Sequence, residues 1–233
     1  MDTKLLVFDL DGTLIDTMGD YADKAAALIF KHYGTPISEA HRLYFETSGL
    51  PFEQQLEQLF PKATGNAEVA LRFESWKDKY LLNVTLPSKT EQLLHHWQNA
   101  GFRIAIASNN LESYVKRLAN NWPVDAALGY RAWDGFCKGE PHFQKLENDF
   151  GWSREQMLFI GDSPNDARIA VRSNVPFLAL LSGEFISADF TKHYPDVRFI
   201  RQLSDINDFL TLSKVNFYEK SSADSRSCYP RFN

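Results

Sequence analysis

Cysteine is almost missing from this sequence of 233 residues, where only Cys137 and Cys228 occur. Two cysteines cannot form the framework of bridges that staples small secreted domains, and their spacing does not suit a zinc site, so reduced thiols and a cytoplasmic location are expected. A basic excess is lacking as well. The 25 Lys and Arg face 30 Asp and Glu, a formal net charge of −5, which leaves no global field to gather nucleic acid or anionic lipid. An anionic substrate must therefore be captured locally. No apolar run approaches the ~18 residues a membrane helix requires. Only four apolar residues, Leu5 to Phe8, precede Asp9, too few for a signal-peptide core. Repeats at solenoid periods are absent, and no segment suggests an obligate protein partner.

What is present is an ordinary globular composition, 44% hydrophobic and 24% charged. Short apolar runs at Leu5–Phe8, Phe102–Ala107, Ala126–Tyr130, Met157–Ile160 and Phe177–Leu181 read as strands covered on both faces. Helical segments lie between them. Ser88 and Glu91 have the spacing of a capping box, Gly101 suits a helix stop, and Ser153 with Gln156 offers a second box that leads straight into a strand. Strands alternating with helices predict an α/β fold with a doubly wound parallel sheet. The stretch between the first two strands is far too long for one crossover. It carries one apolar stripe of Tyr21, Ala25, Leu28 and Ile29, and another of Val69, Phe73, Trp76 and Tyr80. A helical insert at residues 17–85 is expected, with the α/β core at 1–16 and 86–215. The polar, Ser-rich stretch from Glu219 to Asn233 is expected to be a disordered tail.

In an open α/β sheet, ligands bind beyond the carboxyl ends of the strands. Those ends carry the polar residues of interest. Asp9, Asp11, Gly12 and Thr13 close the first strand, Ser108 and Asn109 follow the second, and Gly161-Asp162-Ser163-Pro164-Asn165-Asp166 follows a later one, with Pro164 suited to open a helix. A hydroxyl and backbone N–H groups at Ser108 and Asn109 suit phosphate oxygens. Four carboxylates on one rim repel by roughly 4 kcal/mol per close pair at an effective dielectric of 20, so a cation is required. An all-oxygen donor set points to a hard ion such as Mg²⁺, and Lys138 brings a fixed positive charge to the same rim.

The order Asp9-x-Asp11-Gly12-Thr13, then Ser108-Asn109, then Lys138-x-x-Pro141, then Gly161-Asp162-Ser163-x-x-Asp166 resembles the haloacid dehalogenase-like hydrolase superfamily. The insert resembles the alpha-helical cap of its phosphoglycolate phosphatase-like branch, and Ser48-Gly49-Leu50-Pro51 resembles that cap's substrate-contacting loop. The resemblance implies Mg²⁺-dependent hydrolysis of a small phosphorylated metabolite, a phosphomonoester, through an aspartyl-phosphate on Asp9, with Asp11 as general acid and base. It implies metal ligation by Asp9, Asp162 and the Asp11 carbonyl, with Asp166 holding a metal-bound water. Ser108, Asn109 and Lys138 would bind the phosphoryl group, Lys138 also offsetting transition-state charge. Two stretches depart from the family's usual form: Gly-Glu-Pro follows Lys138 where Pro-x-Pro is common, and Ser173-Asn174 stands where a Gly helix end is common.

Other readings fit less of the chain. An EF-hand loop fails because position twelve from Asp9 is Asp20 rather than Glu. Gly161-Asp162-Ser163 lacks the Asp-x-x-His of a serine esterase. A phosphomutase of the beta-phosphoglucomutase type would share the whole core. A receiver-like phosphate-binding module would be shorter and have no helical insert. A second anionic group on the substrate could meet Arg42, Lys62 or Arg72, each of which is more simply a surface charge. His95-His96 reads as an exposed pair and Phe73, Trp76 and Tyr80 as packing residues.

Overall fold

In a computed structural model the chain is described over residues 2–215, so the expected tail from Glu219 to Asn233 lies outside the described residues, as does Cys228. Six parallel strands make one sheet in the order β3-β2-β1-β4-β5-β6. They are β1 (Leu5–Phe8), β2 (Arg103–Leu111), β3 (Ala126–Tyr130), β4 (Met157–Gly161), β5 (Phe177–Leu180) and β6 (Arg198–Ile200). The doubly wound α/β fold expected from the sequence is the one observed. Every residue of β1 is fully buried, which is why the strand reads as an unbroken apolar run instead of an alternation. Strand order reverses at β1, which pairs with β2 on one side and β4 on the other. A crevice therefore opens at its carboxyl end.

Four helices stand between β1 and the helix that precedes β2: α1 (Met18–Tyr33), α2 (Ile37–Glu46), α3 (Phe52–Leu59) and α4 (Asn66–Leu81). The stripe of Tyr21, Ala25, Leu28 and Ile29 is buried along α1, which packs on α2 and α4. On α4 the buried row is Val69, Phe73 and Lys77, whereas Trp76 and Tyr80 are half-buried against the Tyr21 ring. The apolar groups of these helices and of one face of the sheet form a single cluster. The remaining helices, α5 (Ser88–Asn99), α6 (Glu112–Ala119), α7 (Glu140–Phe150), α8 (Pro164–Arg172), α9 (Ser187–Thr191) and α10 (Ile206–Val215), alternate with the strands. None of the described helices is long and apolar enough to cross a membrane.

Several local expectations change. Ser88 makes no cap with Glu91: it is the first helical residue, and the carbonyl of Pro87, held extended by its ring, accepts the Glu91 N–H at 2.9 Å. The second box does form, Ser153 and Gln156 bracketing one 3₁₀ turn that feeds β4. Gly101, at φ +94°, ends α5 as expected. Strand β2 runs beyond Ala107 to Leu111 with a register shift against β3, so Ser108 and Asn109 lie in an irregular extension instead of after the strand. Strand β6 has three residues, too few to show a period. At the end of α8, Asn174 adopts φ +53°, taking the left-handed position a glycine often fills.

The sheet's helical cover is fastened at Trp97, which is fully enclosed, stacks on Phe8 at 5.6 Å and donates its indole N–H to Asn207 of α10 at 2.7 Å. Trp97→Ala should cost about 3–5 kcal/mol through the cavity it leaves, and Asn207→Ala about 1 kcal/mol through the orphaned indole donor. Urea unfolding midpoints read both; equal costs for the two variants would show that the ring's packing is not what fastens the helix.

Candidate active site

The chain leaves β1 through Asp9, whose N–H still donates to Ile160 O of β4 at 2.8 Å, and then turns sharply. Gly12 makes that turn possible. Its φ is +75°, and a Cβ there would stand 2.1 Å from the Asp162 carboxylate, so only glycine admits both the turn and the neighbouring acid. Thr13 then donates to Asp162 Oδ1 at 3.1 Å. Two strand ends are thereby stitched together around two buried acids.

Asp166 is set by the start of α8. Ser163 caps that helix, its hydroxyl donating to Asp166 Oδ2 at 2.6 Å while accepting the Asp166 N–H at 3.2 Å, and Pro164 occupies the first turn as expected. The other oxygen, Oδ1, meets Lys138 Nζ at 2.7 Å. Lys138 also reaches Asp9 Oδ1 at 2.9 Å and is itself buried. Gly139, next in the chain, has φ +126°, which no proline could adopt; the departure from Pro-x-Pro after Lys138 thus reflects a different backbone path into α7.

Asp9, Asp162 and Asp166 each offer an oxygen within 4.8 Å of the others, all three buried. One lysine cannot balance them. Burial drives the Asp9 pKa up to about 7, with Lys138 opposing and the Asp166 and Asp11 charges adding to the rise. Burial together with Asp9 and Asp166 lifts Asp162 well above the ordinary carboxylate range. Lys138 stays protonated: burial works against its charge, but Asp166 and Asp9 outweigh it. A pocket of excess negative charge built only from carboxylate oxygens fits a hard divalent cation.

Asp11 adds no carboxylate to that trio. Its Oδ1 accepts from the Thr17 hydroxyl and its Oδ2 from Asn110 Nδ2, each at 2.6 Å, so the side chain is held from two sides while still bordering the cavity. Ser108 lines the same cavity, its Oγ accepting the Asn110 N–H at 3.0 Å. Asn109 is a bridge: Nδ2 donates to Gly49 O of the expected contact loop at 2.6 Å, and Oδ1 accepts the Lys138 N–H at 2.9 Å. Asp9, Asp11, Ser108, Asn109, Lys138 and Asp162 thus border one cavity, with Asp166 paired to Lys138 beside it. Thr17, Asn110, Gln55 and Lys77 were not singled out, though only Lys77 left a trace, four residues after Phe73 on the buried row of α4. Arg42 pairs with Glu39 and Glu46, Arg72 with Glu68, and Lys62 is exposed; none of the three lines the cavity. His95 and His96 are exposed.

A family model described as haloacid dehalogenase-like hydrolase matches residues 6–180. A phosphoglycolate phosphatase from Mesorhizobium japonicum is 26% identical over 191 residues, 77% of this chain and 83% of that one. One from Haemophilus influenzae (strain 86-028NP) is 25% identical over 207 residues, 83% and 92% of the respective chains. A haloacid dehalogenase-like family hydrolase from Streptococcus pneumoniae superposes with a TM-score of 0.72 at 22% identity, covering 89% of this chain and 99% of the other, a likeness of fold.

The acidic trio has a measurable signature. Because the Asp9 pKa is raised on folding, the folded state holds more protons than the unfolded one between the ordinary value of 3.8 and about 7, so metal-free stability falls as pH rises through that window. Asp162→Asn removes one of the crowded charges and should raise the melting temperature in chelator at pH 7.5, by an amount equivalent to about 1–2 kcal/mol. Mg²⁺ should raise the wild-type melting temperature more at pH 7.5 than at pH 5, and the variant's hardly at all. A lower melting temperature for Asp162→Asn in chelator would show that the acids are not in conflict.

Proposed function

The chain belongs to the haloacid dehalogenase-like hydrolases, and on that footing we propose that it is a Mg²⁺-dependent phosphatase that cleaves a small phosphomonoester through an aspartyl-phosphate on Asp9. The observation that carries this reading is the double ion pair of Lys138 with Asp9 and Asp166, beside Asp162 and open to the same cavity as Asp11 and Ser108.

In this reading one Asp9 oxygen attacks phosphorus in line, and the bond from phosphorus to the leaving oxygen breaks. Asp11 gives that oxygen its proton. It later takes a proton from the water that attacks the acyl phosphate, which regenerates Asp9 and releases inorganic phosphate. Thr17, whose hydroxyl can donate or accept, suits a carboxyl that alternates between its two forms. Lys138 and Ser108 border the space the transferring group would take and would bind its oxygens, as would the N–H of Asn109. Mg²⁺, held by Asp9, Asp162 and the Asp11 carbonyl with Asp166 behind, would offset the charge of the acids and of the phosphoryl oxygens. Helices α1 to α4, residues 17–85, would serve as a cap over a core made of residues 1–16 and 86–215, setting substrate size from the side opposite the acids. A small phosphorylated metabolite is the partner this implies, with phosphoglycolate the first ester to try because curated relatives carry that name. Two cysteines in the sequence suit the reducing cytoplasm.

Assayed on an aryl phosphate and on phosphoglycolate, the protein should release phosphate with Mg²⁺ and stop in chelator. Asp9→Asn should lose activity by at least about 10³-fold, and Asp11→Asn by about 10²–10⁴-fold. Equal rates with metal and with chelator would sink the proposal. Conversion of a hexose 1-phosphate to an isomer without phosphate release would indicate a mutase instead.

A further inference from the structure

One wall of the cavity carries a charge that the chemistry above does not use. Lys77, on α4, is only 7% exposed and borders the same cavity as Asp9, Asp11 and Lys138. Its ammonium lies over the rings of Tyr21, 5.0 Å from the centroid, and Phe73, 5.5 Å. Glu74 supplies the neighbouring carboxylate, but its Oε1 stands 3.6 Å away, longer than a hydrogen bond. The other oxygen, Oε2, is buried with no hydrogen-bond partner among the described residues.

An ammonium has three N–H donors and is costly to bury without acceptors for them. Aromatic faces attract its charge but accept no strong hydrogen bond. Lys77 is therefore balanced in charge and left short of acceptors, unlike Lys138, whose ammonium is held at 2.9 and 2.7 Å. Arg42 and Arg72, outside the cavity, already have their carboxylates within bonding distance. Within the cavity's helical wall, Lys77 is the cation placed to take a new acceptor.

We propose that Lys77 is a specificity-determining residue that binds a carboxylate on the alcohol part of the substrate. This rests on the phosphatase reading and adds a substrate feature to it. The location follows from the cavity itself, which Asp11, Tyr21 and Lys77 all border, with the Lys77 ammonium over the Tyr21 ring face. An ester whose alcohol oxygen meets Asp11 would carry its other end into the same small cavity that Lys77 borders. The whole cavity, about 60 Å³, is small, which suits a compact substrate. Glu74 offsets the Lys77 charge and competes with an incoming anion, so removing its charge should strengthen binding, the opposite of removing Lys77.

The test compares phosphoglycolate with 2-hydroxyethyl phosphate, its neutral counterpart, using the full chain with Mg²⁺. The wild type should favour the carboxylated ester by about tenfold or more in kcat/KM, roughly the worth of one charge-assisted hydrogen bond. Lys77→Met should bring that ratio near one, chiefly through KM; Lys77→Arg should keep the preference; Glu74→Gln should lower KM for the carboxylated ester alone. A Lys77→Met that slows both esters by the same factor, or a wild type that hydrolyses both equally well, overturns this inference and leaves the phosphatase reading standing. A wild type that hydrolyses neither ester nor an aryl phosphate removes both.

Discussion

Lys138 is the hinge of the electrostatics: one buried ammonium touches Asp9 at the end of β1 and Asp166 at the start of α8. Three buried carboxylates would push those elements apart, and a single cation holds them while leaving negative charge in surplus. The local sequence follows from that constraint. At Gly161 a Cβ would lie 2.7 Å from that of Asp166, and at Gly12 it would run into Asp162, so both glycines are where acids must come close to backbone. Ser163 and Thr13 supply the hydroxyls that keep the acids oriented. Crowding these acids costs stability, as charged groups gathered at functional sites commonly do.

The fold was legible because it rests on contrasts that sequence displays well. Fully buried strands such as Leu5–Phe8 are unbroken apolar runs, and acids, glycines and a proline cluster only where those runs stop. Less legible were features decided by neighbours distant in the chain. Asn110 holds Asp11 across 99 positions, and nothing beside it in sequence signals that task. The extension of β2 through Ser108 depends on pairing with β3, and the three residues of β6 on pairing with β5. Ser88 misled because the capping pattern is local, whereas Pro87 had already fixed where the helix begins.

Lys77 shows how a binary reading of helices can hide a functional group. Counted as apolar against polar, α4 presents Trp76 and Tyr80 as its inner face, yet the row that is most deeply buried runs through Val69, Phe73 and Lys77. A lysine's long stem packs like a hydrocarbon, so its burial is not itself anomalous. The position of the ammonium, over two rings and beyond bonding distance of Glu74, is what separates it from an ordinary buried stem.

Asn109 spans from the Gly49 carbonyl to the Lys138 N–H, so a single amide ties the loop that lines the cavity to the backbone of the lysine beneath it. Two such hydrogen bonds are worth about 1–3 kcal/mol together. The wall of the cavity and the backbone of its buried cation therefore take their positions from the same side chain.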